Sequence, residues 1–251
     1  MSPVVELPRD AIADSVDCES LIRALNAHGA VCIRGAQLDD PTLSDILDCL
    51  GPAMFTSGET AVENHPNLNV VTNAGRSTPP RSRFHTDSSY YMRPPAYTAL
   101  RPVEVPEQGG ATLFIDTRDA FDALPLVMRN RLRGRSVRHC VSGVDPEPGA
   151  ETESWQPLFR LHPHSGCTAL YITVPERMVE IEGLTPDETQ PVIADLYAFA
   201  TSRPQMRHDW QPGDFLVWDN RTTLHKGDHS GVVGRRTLHR GMAEGEVPIL
   251  A

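Results

Sequence analysis

The sequence predicts a mainly β domain with flanking helices. Three observations carry that expectation. Turn-forming residues are frequent, with 22 prolines and 18 glycines in 251 residues. Short apolar or alternating runs recur between those turns, as strands do. Helical stripes are confined to a few short stretches. No internal repeat, low-complexity segment or linker divides the chain, so a single domain over residues 1–251 is expected, a length that β sandwiches and barrels reach as one unit.

Taken in order, Asp17 is suited to cap a helix carrying Leu21, Ile22 and Leu25, which Gly29 stops. Residues 30–34 read as a strand ended by Gly35. A second helix begins near Asp40, with Pro41 in its first turn and Leu43, Ile46, Leu47 and Leu50 on one face, and stops at Gly51. Residues 68–72 read as a strand, and 73–83 as a loop rich in Gly, Ser, Pro and Arg. Residues 97–105 and 112–115 are strands joined through Gly109-Gly110. Asp116 or Thr117 caps a short helix over Ala120, Phe121 and Leu124, followed by a second helical piece over 127–132. Residues 142–156 form a loop of little periodicity, a candidate lid, and strand-like runs follow at 157–161 and 168–174. Thr185 opens the longest helix, with Pro186 and Glu188 in its first turn. The remainder is β again around 205–210, 214–218 and 236–242.

Composition excludes several classes. The formal charge of −10 leaves no basic surface to attract a phosphate backbone, so a nucleic-acid partner is not expected. No apolar run is long enough to span a membrane. The N-terminus has neither a basic start nor an apolar core, and the five cysteines (Cys18, Cys32, Cys49, Cys140, Cys167) show no C-x-x-C pairing. These features point to reduced, mostly core cysteines in a cytoplasmic protein, without disulfides or a zinc site.

The chemistry-bearing stretch is Phe84-His85-Thr86-Asp87, read with the distant His225. Two histidines and one carboxylate, with the remaining positions open, form the ligand set of oxygen-activating non-haem Fe(II) sites. Residues two apart on an extended strand face one side, so His85 and Asp87 at a strand end would share a metal. An H-x-D pair alone occurs by chance in many proteins. Eleven residues after His225 stands Arg236, and four further on Arg240. A dicarboxylic cosubstrate chelating the metal would present its far carboxylate to such an arginine, best with a hydroxyl beside it, for which Thr112 is the candidate.

The ordered set Phe84-His85-Thr86-Asp87, Pro94-Pro95-Ala96, Gly109-Gly110-Ala111-Thr112-Leu113, Leu161-His162-Pro163, Trp210-Gln211-Pro212-Gly213-Asp214, Trp218-Asp219-Asn220-Arg221, His225 and Arg235-Arg236-Thr237-Leu238-His239-Arg240 resembles the taurine dioxygenase (TauD/TfdA) family of Fe(II)/2-oxoglutarate-dependent oxygenases. The resemblance covers roughly residues 80–248. It implies a double-stranded β-helix (jelly roll), iron on His85, Asp87 and His225, and 2-oxoglutarate on Arg236 and Thr112. It also implies O2 as second cosubstrate, and Arg240 as a second active-site arginine. The reaction implied is decarboxylation of 2-oxoglutarate to succinate and CO2 with hydroxylation of an aliphatic substrate carbon, desaturation or oxidative cleavage of a sulfonate, phosphonate or natural-product intermediate remaining open. Asp87 disfavours the halogenating variant, which lacks that carboxylate.

The substrate expected is a small organic anion, such as an amino or carboxylic acid, held by Arg240 with help from Arg81 or Arg83 and bordered by Ser88, Tyr90 and Tyr91. Read singly, the loop arginines are equally well solvated charges, and the tyrosines equally well core. His162, His164, His229 and His239 need no second metal, and Trp218, Asp219 and Asn220 read as packing and turn elements that fix His225. Two rivals stay open: a zinc hydrolase on the same triad, and a non-catalytic jelly-roll binding protein. Self-association is common among the family's members and is left open here.

Overall fold

The computed structural model describes residues 2–7, 18–56, 58–75, 82–143, 146 and 148–251. Its larger sheet runs Val5–Leu7, Ala30–Ile33, Phe215–Asp219, Pro95–Glu104, Thr237–Glu244, His65–Thr72 and Ala61–Val62, with Ala53–Met54 added on Thr237–Glu244. The smaller runs Ser2–Pro3, Met206–His208, Thr112–Asp116 and Thr223–Gly227. One apolar cluster joins the two sheets: Cys32, Leu100, Leu216, Trp218 and Leu238 from the larger meet Phe114 from the smaller, with Trp210 between them. The rings of Phe114 and Trp218 meet edge-on with centroids 5.5 Å apart.

The outer faces are covered by helices. Helix α1 (Cys18–His28) and α2 (Asp40–Leu50) pack Leu21, Leu25, Leu43, Ile46, Leu47 and Leu50 against Val31, Ile33, Phe215 and Val217 of the larger sheet. Helices α3 (Thr117–Ala123), α4 (Leu126–Leu132) and α5 (Pro186–Thr201) cover Leu113, Ile115 and Leu224 of the smaller. Central strands therefore bury both faces, which is why 30–33 and 215–219 read as continuous apolar runs instead of alternating ones. Leu216 and Trp218 face the other sheet, and Phe215 and Val217 face the helices. Burying the four apolar side chains of α2 contributes about 6–12 kcal/mol gross, most of it offset by the entropy of ordering the chain. The approach is close: a Cβ on Gly241 would stand 2.0 Å from Leu47 Cδ1.

Most expected elements are present, with shifted ends. Helix α2 begins at Asp40 as expected, and Asp39 caps it, accepting from Thr42 N at 2.9 Å. Asp116 caps α3, and Thr185 with Glu188 forms a capping box on α5. The Asp17 cap lies outside the described residues. The expected loop over 142–156 is shorter than the sequence suggests, because its last residues pair as strand Glu153–Pro157 with Ser136–Cys140. That strand sits between Glu153–Pro157 and Met178–Ile181, and Phe159–Leu161 sits between Thr168–Leu170 and Ile249–Leu250.

The cysteine expectation is corrected. Cys18 opens α1 and Cys49 lies near the end of α2, and packing of the two helices brings their Cα atoms to 6.2 Å, where a disulfide joins them. Cys32 is buried as expected. Cys140 is only half-buried and Cys167 is exposed. Among the described residues, no helix is long and apolar enough to cross a membrane.

Candidate metal and cosubstrate site

The site lies between the two sheets. His225 belongs to Thr223–Gly227, where Leu224 points out toward the helices and His225 points in. His85 is held beside it by a single antiparallel bridge, with His85 N donating to His225 O at 3.0 Å and His225 N to His85 O at 2.9 Å. The strand-end geometry expected for the His85/Asp87 pair is not what brings them together. His85 makes only this one-residue bridge, and Asp87 begins a turn in which Ser88 takes a φ of +42°. That turn swings the carboxylate back toward the imidazoles.

His85 and Asp87 are each aimed by a hydrogen bond on the far side of the ligand atom. His85 Nδ1 donates to Arg83 O at 2.9 Å, which leaves Nε2 with its lone pair. Asp87 Oδ2 accepts from Thr98 Oγ1 at 2.8 Å, leaving Oδ1 free. Oδ1 lies 3.6 Å from Nε2 of His85 and 3.6 Å from Nε2 of His225. These separations are too long for hydrogen bonds and suit donors that surround a common point. His225 is wedged by Trp218, with centroids 4.5 Å apart, and its Nδ1 is buried without a hydrogen-bond partner among the described residues.

Burial pushes His225 down to about 3, helped by His85 and Arg240, so the ring is neutral and its lone pair available at neutral pH. Burial works to raise Asp87, but His225, the His85 contact and the Arg240 guanidinium outweigh it and hold the carboxyl well below the usual range. With His225 neutral, Arg240 is the lasting cation of that group. Two imidazoles and one carboxylate, mutually within 4.8 Å, fit a divalent metal with nitrogen and oxygen preference.

The turn behind the site is built from Trp218 to Arg221. Trp218 Nε1 donates to Asn220 Oδ1 (3.0 Å), Asn220 Nδ2 to Thr98 Oγ1 (2.8 Å), and Thr86 Oγ1 to Asn220 O (2.9 Å). Asn220 therefore ties both metal-binding segments to one strand. Asp219 is buried between Arg221 and His162, whose nitrogens approach its Oδ2 at 2.7 and 2.9 Å. His162 thus has the packing role expected of it, and His239 meets Asp40 of α2 at 2.7 Å.

Arg236 stands at the far side of a cavity of about 210 Å³ that His85, His225, Thr112 and Trp218 also line. Its Nε donates to Gly110 O at 2.8 Å and its Nη2 lies 3.4 Å from Thr112 Oγ1. Only 4% of it is exposed, and no carboxylate among the described residues lies within ion-pair reach. Burial pulls its guanidinium down to about 10, still a cation at neutral pH. Trp210 Nε1 also donates to Thr112 Oγ1 at 3.1 Å. The threonine oxygen is thus an acceptor twice over, and its own proton is left for an anion. Gly110, at φ +76°, is needed here, because a Cβ would stand 2.9 Å from Arg236 Cδ.

The residues expected at the substrate fare unevenly. Arg240 donates to Asn69 Oδ1 at 3.1 Å, pairs with Glu59 and lies 3.6 Å from Asp87 Oδ1, so two carboxylates already face it. Arg83 pairs with Glu176 at 2.5 Å and lies over the Tyr197 ring. Ser88 is buried against Thr56, their hydroxyls 3.0 Å apart. Tyr90 is buried and Tyr91 half-buried beside it. Arg81 lies outside the described residues. The sequence reasoning missed Thr98 and Glu59, which no motif marks. A second donor group, Cys32, His208 and Asp214, also converges. There Arg34 already holds Asp214 at 2.6 Å, and burial pushes the Cys32 thiol up to about 12, so a cation and a protonated thiol occupy it instead of a metal.

The family model for taurine catabolism dioxygenase TauD, TfdA family, matches residues 2–242. The chain belongs to this family. Its dioxygenases depend on 2-oxoglutarate, with Fe(II) and O2, and the His85/Asp87/His225 group of the family member described here has the matching donors. The chain is 34% identical over 169 residues to the alpha-ketoglutarate-dependent 2,4-dichlorophenoxyacetate dioxygenase of Cupriavidus pinatubonensis, covering 62% of this chain and 58% of that protein. It is 26% identical over 264 residues to the alpha-ketoglutarate-dependent sulfate ester dioxygenase of Pseudomonas putida, covering 94% and 83%. The crystal structure of a taurine dioxygenase from Burkholderia xenovorans superposes with a TM-score of 0.83 at 26% identity, over 99% of this chain and 91% of that one. The sheets and helices described above are thus those of the TauD-type jelly roll.

Proposed function

We propose that this protein is an Fe(II)/2-oxoglutarate-dependent dioxygenase that hydroxylates an aliphatic carbon of a small organic anion. The observation that carries the proposal is Arg236, a buried cation without an acidic partner among the described residues, on the same cavity as His85 and His225. A hydrolase would have no use for such a cation, whereas a cosubstrate with a carboxylate at each end requires one.

His85 Nε2, Asp87 Oδ1 and His225 Nε2 would hold the iron. When bound, iron with 2-oxoglutarate and O2 supplies the oxidising chemistry: one oxygen atom ends in succinate, the other in the substrate's new hydroxyl, and CO2 leaves. The chain's own residues orient and enclose. Arg236 and the free proton of Thr112 fix the far carboxylate of the cosubstrate. Val71, Leu100, Trp218 and Leu238 make the cavity wall apolar and keep water from the reacting carbon. Thr98 and Arg83 O hold Asp87 and His85 in the orientation their ligand atoms need.

The anionic substrate class has support in the relatives, whose names specify 2,4-dichlorophenoxyacetate, (S)-phenoxypropionate, sulfonates and sulfate esters. The decisive test is anaerobic addition of Fe(II) and 2-oxoglutarate. The weak visible charge-transfer band of a chelated 2-oxo acid is expected, and Asp87→Ala or Arg236→Met should abolish it at the same concentrations. An iron-loaded, folded protein without the band would refute the proposal.

A further inference from the structure

A second cavity, of about 410 Å³, reaches the metal site from the other flank of His85 and is bordered by Arg83, Ser142, Gly143, Val174, Glu176 and Arg177. Its volume lies in the range of small-molecule sites. It carries two arginines, and they differ in how far their charge is already used. Arg83 is paired with Glu176. Arg177 faces no carboxylate within ion-pair reach among the described residues. Its Nε donates to Ser142 Oγ at 3.0 Å and its Nη2 to Ser142 O at 3.1 Å, which fixes the plane of the fork and leaves Nη1 unused. The backbone is fixed too, in a single 3-10 turn, Pro175–Arg177, directly before strand Met178–Ile181.

Its neighbours among the described residues do not neutralise it. The groups that feel its charge are Tyr90 and His139. Burial pushes the Tyr90 phenol up to about 12 and His139 down to about 3, so both stay uncharged at neutral pH. A half-buried guanidinium, immobilised by two hydrogen bonds and without a counter-charge among the described residues, is a preorganised anion receptor. An anion on Arg240, by contrast, would have to displace Glu59 beside a second carboxylate, Asp87.

We propose that Arg177 is the specificity-determining residue of the enzyme, holding the carboxylate, sulfonate or sulfate group of an organic anion whose reactive carbon faces the His85 side of the metal site. This rests on the dioxygenase reading above. Arg240 then serves Asp87 and Glu59 inside the protein, and the substrate's charge is read on the opposite flank.

The test titrates the anaerobic Fe(II)–2-oxoglutarate protein with 2,4-dichlorophenoxyacetate, (S)-2-phenoxypropionate, hexyl sulfate and taurine, and with the uncharged methyl ester of the first. Binding is read from the visible band and, in parallel, by calorimetry. At least one anion should bind, its uncharged counterpart at least about tenfold more weakly, and Arg177→Met should weaken the anion by about tenfold or more while the band persists. Arg177→Lys should recover part of the loss. The proposal is overturned if no anion binds the wild-type protein, if Arg177→Met binds the anion as wild type does, or if it loses anion and ester alike. A missing band in the wild type sinks the dioxygenase reading instead, and calorimetry still reports on Arg177.

Discussion

Thr98 offers the sharpest test of how the metal site is held. It is fully buried, donates to Asp87 Oδ2 at 2.8 Å and accepts from Asn220 Nδ2 at 2.8 Å. Thr98→Val keeps the shape and removes both bonds. A hydrogen bond to an ionised group and one neutral bond are lost together, with both partners left buried, so a destabilisation of about 2–4 kcal/mol is expected. The carboxylate also becomes free to rotate Oδ1 away from the imidazoles, and losing such an outer partner typically weakens a metal by about 10- to 100-fold. The sign is fixed as well, since losing a donor to the ionised form raises the Asp87 pKa and makes Fe(II) binding weaker toward acid. Urea unfolding of the metal-free protein and anaerobic Fe(II) titration at saturating 2-oxoglutarate measure the two effects. Thr98→Ser should restore most of both. Unfolding and Fe(II) affinity unchanged in Thr98→Val would refute the reasoning that Thr98 aims the carboxylate.

Further outcomes follow from the same geometry. Gly110→Ala, at φ +76° and 2.9 Å from Arg236 Cδ, should raise the 2-oxoglutarate Kd while leaving metal binding nearly intact; equal losses of both would count against a local effect. His139 and His225 are buried and held neutral down to about 3, whereas an unfolded histidine protonates near 6.5. The unfolded chain therefore binds more protons below about pH 6.5, and metal-free stability, fully present above it, should fall toward acid by about 2 kcal/mol per histidine at pH 5. Identical urea midpoints at pH 7.5 and 5.0 would contradict this. Thiol titration of the unfolded, unreduced protein should find Cys32, Cys140 and Cys167 only, and Cys18→Ser with Cys49→Ser should cost about 3–4 kcal/mol from a crosslink spanning 31 residues.

What the sequence made legible was whatever period and order encode. Strands 30–33 and 215–219 read as apolar runs because helices and a second sheet cover them. The candidate metal-binding histidines and Arg236 could be singled out because their order along the chain is that of a family. Contacts between segments far apart in sequence were not legible. Glu59 and Arg240 are 181 residues apart, and nothing in either neighbourhood announces the pair. Thr98 is one more small residue in a strand until Asn220 and Asp87 are seen to share its hydroxyl. Cys18 and Cys49 carry no spacing signature, and only the docking of α1 on α2 brings them together. Even the His85/Asp87 pair, which converges with His225, has a different backbone from the one expected: a turn with a positive φ at Ser88 does what strand alternation was expected to do.

The two arginines of strand Thr237–Glu244 and its approach show how one element serves two charges. Arg236, Leu238 and Arg240 alternate onto the face between the sheets, while His239 turns outward to Asp40 of α2. The two inward cations are chemically identical and four residues apart, yet their surroundings give them opposite tasks. Around Arg236 are a glycine carbonyl, a threonine and a tryptophan, groups that orient a cation without neutralising it, so its charge remains for a ligand. Around Arg240 are Glu59 and Asp87, which spend its charge inside the protein. That use matters, because burial would otherwise raise the Asp87 carboxyl toward protonation and cost it its value as a ligand. On the proposed reading, the strand keeps one cation bare for the cosubstrate and uses the other to keep Asp87 ionised, and a third cation, Arg177, on a different element, is left to select the substrate.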